Sequence, residues 1–309
     1  MSVQTQAELA RALVTERILR IHLRPRPGEV IEVFDIPFSG FEFVADARHR
    51  HGLVRWCASA ELRVEGSATV ESHAGKTVLL ADNPLLYLHG ATAEAVAHVG
   101  EVHCFDEARV MAYGVARVRA YENSQASLFG DSWCECHDHA QVTAQDEASV
   151  HASGESRIIL RGRSYGTTQG DVHAVVADTA RIVATGGQVQ ASGRASVWAL
   201  ATSKVTTTDD VVLLAEERTH AIAHGNSSVQ ARGNAQISSF DHCRVNAQEM
   251  AKVAAWGASR IKAEGTALLE INSSKVRALA LQNSQVTITG PWAEETVFYT
   301  PSLAEVSEF

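Results

Sequence analysis

The chain lacks a long apolar run, a cysteine framework and an excess of positive charge. No stretch approaches about 18 consecutive apolar residues, so the sequence predicts no membrane-spanning helix. The five cysteines are an odd number without disulfide-framework spacing, which fits a reducing compartment. With 27 Lys and Arg against 36 Asp and Glu, the formal net charge of −9 argues against a nucleic-acid binder held by phosphate contacts.

What remains is the composition of a folded protein. Of the 309 residues, 45% are hydrophobic and 20% are charged, so nothing indicates disorder. The N-terminal residues carry charges throughout and lack the apolar segment of a secretory signal. The sequence therefore predicts a cytoplasmic protein, and export by a leaderless route stays open.

An eight-residue repeat organises most of the chain. Residues 106–121 divide into DEARVMAY and GVARVRAY, which share Ala at place three, Val at place five and Ala at place seven. Such octads run without a gap through residues 58–185 and, after one short unit, through residues 193–264. The register last appears in QNSQVTIT, residues 282–289.

Each place in the octad has a physical interpretation. Apolar places three, five and seven alternate with polar places four and six, which is typical of a strand with one buried face. Place one is usually Gly or Asp, the residues that a tight corner needs. Such short units bury their apolar face when they stack in register, so the sequence predicts an all-β fold, a parallel β-solenoid. We expect two octads, or about 16 residues, per turn and roughly 14 turns.

This pattern resembles octapeptide and 16-residue β-solenoids in general, over residues 58–289. Ice-nucleation proteins have a comparable coil, but their Thr-x-Thr arrays are absent here. Phage cell-puncturing spikes also use an octapeptide, but their repeated Val-x-Gly core is not matched. The resemblance implies the architecture and carries over no functional residue.

The two ends depart from the octad. Residues 1–57 have Leu9, Leu13 and Ile18 at helical spacing, followed by one or two strands, and predict a small α/β cap. A docking or oligomerisation role for this segment is the alternative. Residues 290–309 are acidic and predict a second cap or a partner-binding tail. A homo-oligomer formed through these terminal segments therefore stays open.

Two motifs suggest chemistry that the octad argues against. Residues 162–166 read GRSYG and match a nucleophile elbow, but Ser164 occupies the inward place three. Cys134 and Cys136, which begin the run CECHDH, also fall on inward places, where a free cysteine packs as a small hydrophobe. The sequence therefore predicts no catalytic set, no metal site and no cofactor.

One outward face combines aromatic and charged residues. If alternate octads lie above one another, the octads beginning at 66, 82, 98, 114, 130, 146, 162 and 178 form one sheet, with places four and six outward. Rigid aromatics and charged side chains on successive rungs suit an extended recognition surface. The predicted binding residues are Tyr87, Glu101, His103, Arg117, Arg119, Trp133, Glu135, His151 and Tyr165.

The same stacking predicts an aromatic column at place eight, which we interpret as a structural ladder at a corner. Its members are His73, His89, Phe105, Tyr121 and His137.

Three functions compete at this stage. The favoured hypothesis is a non-enzymatic scaffold that presents a rigid solenoid face to a macromolecular partner, a protein or a polysaccharide, without nucleic acid or membrane. A structural component of a phage, secretion or injection apparatus is the first alternative. The second is a polysaccharide-acting β-helix enzyme, for which Glu101, Glu135 and the neighbouring histidines are the available acid–base set.

Overall fold

The chain folds as a parallel β-solenoid of about 17 turns, with about 16 residues per turn and one short helix near the N-terminus. The structure is a computed structural model that describes residues 1–14, 20–34, 41–47 and 52–290. The prediction of an all-β parallel solenoid with two octads per turn is confirmed. The turns outnumber the expected 14 because residues before Ala58 also form strands of the coil.

The chain divides into two compact units, Met1–Ile158 and Ile159–Phe309. The first unit contains, in order, β1 (Ser2–Val3), α1 (Gln6–Val14), β2 (Arg20–Leu23), β3 (Val30–Val33), β4 (Glu42–Ala47), β5 (Leu53–Trp56), β6 (Glu61–Gly66), β7 (Thr69–Ser72), β8 (Gly75–Leu79), β9 (Leu85–Leu88), β10 (Ala93–Ala97), β11 (Glu101–Cys104), β12 (Arg109–Ala112), β13 (Arg117–Ala120), β14 (Gln125–Leu128), β15 (Trp133–Cys136), β16 (Gln141–Ala144) and β17 (Ser149–Gly154). The unit boundary falls within β18 (Arg157–Leu160).

The second unit continues the alternation of short strands and corners. Its strands are β19 (Tyr165–Gly170), β20 (His173–Val176), β21 (Arg181–Thr185), β22 (Gln188–Ala191), β23 (Ser196–Leu200), β24 (Lys204–Thr207), β25 (Val212–Ala215), β26 (His220–Ala223), β27 (Ser228–Ala231), β28 (Gln236–Ser239), β29 (Arg244–Ala247), β30 (Lys252–Ala255), β31 (Arg260–Ala263), β32 (Leu268–Ile271), β33 (Arg277–Ala280) and β34 (Gln285–Ile288).

Within each unit, the strands from β2 onward pair in parallel with the strand two places along the chain, while β1 pairs with β2. In the first unit, β2 pairs with β4 and β4 with β6, while β3 pairs with β5 and β5 with β7. In the second unit, β20 pairs with β22, and β19 with β21. Even-numbered strands, together with β1, therefore form one sheet and odd-numbered strands from β3 onward form the other, as two octads per turn require.

The core of each unit consists of small and aliphatic side chains from the inward places. Ala108, Val110 and Ala112 of one octad are buried, as are Ala195 and Val197 in the second unit. Alternation of buried and outward residues follows from the two-residue period of an extended strand. Small side chains at places three and seven allow close packing between the sheets.

The uniform register predicted from Ala58 is wrong in the octads 74–81 and 90–97. There Leu79 and Ala97 are buried at places six and eight instead of lying outward. The reason is a local change in turn length: Leu79 pairs with Val64, fifteen residues earlier, and with Ala97, eighteen residues later. One short turn and one long turn shift the inward positions of these even-sheet strands.

The N-terminal helix contacts β1 and β3. Leu9 and Ala12 are buried and Leu13 is half-buried, while Ile18 lies outside the described residues. The side chain of Gln6 bonds to both backbone groups of Glu32 in β3: Nε2 donates to the carbonyl at 3.0 Å and Oε1 accepts from the N–H at 2.9 Å. A glutamine amide therefore satisfies backbone groups of β3, as a strand neighbour does elsewhere.

The predicted roles of the two ends remain predictions. The helix contacts fit a cap at the N-terminus, and residues 291–309 of the predicted C-terminal cap or tail lie outside the described residues.

The corners take left-handed backbone at place one, with φ of 56° at Asp106 and 60° at Asp178. A carboxylate at this place also joins successive turns, because it accepts a hydrogen bond from the backbone N–H one turn earlier. Gly90 N–H donates to Asp106 at 3.1 Å, and in the second unit Gly193 N–H donates to Asp209 at 3.1 Å. Acidic residues at place one therefore serve the corner twice, through their backbone conformation and through their side chains.

Candidate functional site

Strands β9, β11, β13, β15 and β17 carry all but one of the predicted binding residues on one sheet of the first unit. These strands pair in register, so places four and six form two columns. The place-four column holds Leu85, Glu101, Arg117, Trp133 and Ser149, and the place-six column holds Tyr87, His103, Arg119, Glu135 and His151. The octads predicted this placement, while binding by these residues stays a prediction.

Arg119 lies at the centre of a charged network on this face. Its Nη1 is 2.8 Å from Glu101 Oε1, and its Nε donates to Glu135 Oε2 at 2.9 Å. His103 Nε2 lies 3.0 Å from the same Glu101 oxygen. The hydrogen bond to Glu135, with the charge of Glu101, raises the pKa of Arg119, so the guanidinium stays charged.

This network joins three successive strands, because Glu101 lies on β11, Arg119 on β13 and Glu135 on β15. Both carboxylates of the nominated acid–base set are hydrogen-bonded to the same arginine. These ion pairs therefore link three successive turns, and they engage the guanidinium of Arg119.

The remaining predicted binding residues of the first unit are Arg117, Trp133, Tyr87 and His151. Arg117 is exposed and has no ion-pair partner among the described residues, and Trp133 lies beside it on the next strand. Tyr87 packs against His103 with ring centroids 5.1 Å apart and planes tilted by 37°. His151 is exposed at the end of the place-six column, beside Glu135.

Tyr165 belongs to the second unit. It opens β19, is 42% exposed, and pairs in register with Arg181 of β21.

The predicted place-eight ladder is confirmed as a continuous stack in the first unit. Neighbouring rings have centroids 5.2, 4.8, 5.1 and 5.2 Å apart and planes within 17° of parallel. The stacked rings are His73, His89, Phe105, Tyr121 and His137. Offset stacking of this kind stabilises a corner.

Two more ladders of the same kind were not predicted from the sequence. One in the first unit holds His98, Tyr113 and Phe129, and one in the second holds His224, Phe240 and Trp256. The place-eight positions of Tyr113, Phe129, His224, Phe240 and Trp256 were the available signal.

A second charged network lies upstream on the same sheet and was also missed. Arg55 pairs with Glu32 on one side and, at 3.1 Å, with Glu71 on the other. Glu71 is further held by His73 at 3.0 Å. Burial opposes ionisation of Glu71, but the hydrogen bonds from Arg55 and His73 prevail and lower its pKa. The two members of the place-six column on the strands before Tyr87, Arg55 and Glu71, are therefore already ion-paired with each other.

The structure confirms the inward positions predicted for Ser164 of the GRSYG motif and for Cys134 and Cys136 of the CECHDH run. Ser164 is fully buried, and its Oγ has no hydrogen-bond partner among the described residues. Cys104, Cys134 and Cys136 are free and fully buried. Burial raises the pKa of Cys104 to about 12 and that of Cys136 to about 11, so these thiols stay protonated at neutral pH.

The second unit presents a different face on its odd-numbered strands. Arg244 of β29, Arg260 of β31 and Arg277 of β33 pair in register at place four, and all three are exposed. The octads DHCRVNAQ and GASRIKAE already show the first two at equivalent places, so the signal was in the sequence.

No helix in the described part of the chain has the length and hydropathy needed to span a membrane. Within the same residues, no group of three or more His, Cys, Asp or Glu side chains is arranged to hold a metal ion. Comparison with protein-family models, curated proteins and solved structures finds no match.

Proposed function

We propose that this protein is a non-enzymatic binding scaffold that presents a rigid solenoid face to a macromolecular partner. The observation that carries the proposal is the place-four column of the first unit, where Arg117 and Trp133 lie on neighbouring strands fixed by in-register pairing. A preorganised arginine and aromatic side chain are the residue types that dominate binding energy at protein interfaces.

The chemistry of the same face argues against an enzyme. The carboxylates of Glu101 and Glu135 are both engaged by Arg119, and Ser164 is buried in the core. The free, inward cysteines with raised pKa values fit a reducing environment, so we propose a cytoplasmic location.

Site-specific photo-cross-linking in the producing cells tests this proposal. A photoreactive phenylalanine analogue replaces Trp133 in one protein and Ser127, on the even sheet of the same unit, in another. We expect a discrete cross-linked partner from position 133 and none from position 127. Adding Arg117→Ala to the position-133 protein should reduce the yield severalfold.

Equal cross-linking from both positions, or a yield unaffected by Arg117→Ala, would show that this face is not the binding face. Light scattering over a range of concentrations separates the scaffold from an apparatus component. A monomer or small oligomer supports the scaffold, while an intertwined trimer that resists denaturant supports a load-bearing spike.

A further inference from the structure

The second unit carries a column of positive charge that no carboxylate of the described residues neutralises. Arg244, Arg260 and Arg277 lie in register on β29, β31 and β33, with neighbouring strands about 4.8 Å apart. Among the described residues, no carboxylate lies within ion-pair distance of these three guanidinium groups. Like charges on directly opposite residues of neighbouring strands are destabilising, so the column costs folding free energy.

The carboxylates nearby are engaged elsewhere. Lys262 pairs with Glu264 at 2.7 Å. Asp241 accepts a hydrogen bond from Gly225 N–H at 3.0 Å, and Asp210 accepts one from Asn226 at 3.3 Å. The arginines therefore remain available although acidic residues outnumber basic ones in the chain.

The column lines a groove of about 810 Å³. Besides the three arginines, its walls contain Lys275 and His242, with small polar side chains such as Ser228, Asn226 and Ser274. Arginine presents a planar fork that matches phosphate oxygens with two parallel hydrogen bonds, and hydroxyl and amide groups add further donors.

The lining also argues against two other polyanions. Single-stranded nucleic acids are held by aromatic side chains on which bases stack, and the groove contains no Phe, Tyr or Trp among the described residues that line it. An extended acidic peptide adds to an open sheet edge, whereas β29 and β31, two of the three strands that carry the arginines, are paired on both sides; β33 is the last strand of the sheet among the described residues, so a peptide added there would lie beside Arg277 alone. What fits is a ligand with dense negative charge and no bulky apolar part.

We propose that the groove along Arg244, Arg260 and Arg277 binds a linear polyphosphate chain. Each rung supplies one guanidinium, so a flexible phosphate polymer lying along the strand-stacking direction meets a new donor at every turn. Binding removes the repulsion within the column. This surface lies in the second unit and does not depend on the proposed role of Arg117 and Trp133.

Isothermal titration of the full-length protein with short-chain inorganic polyphosphate at low salt tests the proposal. The variant R244Q/R260Q should bind about tenfold more weakly or worse, because two charge-assisted contacts are lost. The matched control is K204Q/K252Q, which removes the same charge from exposed positions on the even sheet of the same unit. It should bind like the native protein.

A second variant separates recognition from charge. R244K/R260K keeps both positive charges but loses the planar forks, so we expect polyphosphate to bind severalfold more weakly than to the native protein. Thermal unfolding of every variant checks folding, and polyphosphate should raise the melting temperature of the native protein and of K204Q/K252Q.

Several results would overturn the proposal. Equal loss in the two glutamine variants would show a general charge effect. Unchanged affinity in R244K/R260K would show that the forks do not recognise phosphate. Equally tight binding of heparin or polyglutamate would make the groove an unspecific anion surface, and tighter binding of oligothymidine would make it a nucleic-acid site.

Discussion

In the first unit Arg119 lies between two carboxylates, whereas in the second unit Arg244, Arg260 and Arg277 follow one another without an acid. Both arrangements lie on odd-numbered strands of octad repeats and at outward places, place six for Arg119 and place four for the three arginines of the second unit. The first is complete within the chain, since Arg119 Nε and Nη1 contact Glu135 and Glu101 at 2.9 and 2.8 Å. In the second, no carboxylate of the described residues lies within ion-pair distance of the three guanidinium groups.

The coil of a solenoid and its outer faces are therefore separate properties. Inward places and corners must repeat, because they set packing and turn geometry. Outward places are free to carry any ladder of side chains. A column of like charges on neighbouring strands, with no contact that neutralises them, is therefore a better functional candidate than a column whose charges are already ion-paired.

The largest effect is expected at the corners, where the two units should behave alike. Asp138 accepts a hydrogen bond from Glu122 N–H at 3.2 Å and Asp209 accepts one from Gly193 N–H, and both have positive φ. Replacing either with Ala should cost about 1–2 kcal/mol of unfolding free energy, because the acceptor and the tolerance for left-handed backbone are both lost. Denaturant unfolding measures this cost.

Asn at either corner position is the control, since it keeps an acceptor and tolerates this backbone. It should cost less than about 0.5 kcal/mol. An Ala penalty confined to one unit would contradict the view that the units share their corners and differ in their faces.

The faces themselves should respond differently. Arg119→Ala leaves Glu101 and Glu135 without their cation and should cost about 1 kcal/mol, a modest figure because the side chain is 39% exposed. Arg260→Ala removes no ion pair among the described residues and relieves repulsion, so stability should change by no more than about 0.5 kcal/mol. Denaturation midpoints at equal slope report both values.

A loss of stability in Arg260→Ala as large as that in Arg119→Ala would remove the contrast between the paired and unpaired columns. Repeating both measurements in high salt sharpens this contrast, because screening should reduce the loss of unfolding free energy in Arg119→Ala.

The smallest effect concerns Lys262, a paired cation of the second unit. Hydrogen bonds from Lys262 and Gln248 lower the pKa of Glu264. A carboxyl with a lowered folded pKa contributes stability at neutral pH that is lost as the pH falls below about 4. Lys262→Met should therefore destabilise by less than about 1 kcal/mol at pH 7, and the difference from the native protein should vanish near pH 3.

Lys252→Met is the matched control, since Lys252 is exposed and has no ion-pair partner among the described residues. Urea unfolding at both pH values should show no pH-dependent difference for it. A penalty for Lys262→Met that persists at low pH would assign its role to packing.

Much of this architecture was predictable because each octad repeats the same pattern of inward, outward and corner places. The place-six stacking of His103, Arg119 and Glu135 follows from counting sixteen residues forward, and the structure has that register. The contact of Arg119 with Glu101 did not follow, because it runs diagonally from place six of one turn to place four of the turn before. Whether two side chains on successive turns come into contact depends on their conformations, which the periodicity of the sequence does not specify.

Local changes in turn length were equally hidden. Around Leu79 a long turn lies between two short ones, with 15, 18 and 15 residues, so the inward places shift while the total over three turns is preserved. The octads themselves contain no gap there. Strand pairing decides the register, because backbone hydrogen bonds between turns outweigh a small mismatch at a corner.

The amino-acid sequence alone determined that this protein coils in parallel turns of two strands, because a two-residue alternation closed by a corner every eight residues buries its apolar face in that way. The tertiary structure decided which charges are paired within the molecule and which are left exposed. That outcome depends on contacts between side chains a full turn apart, whose distances no linear spacing contains.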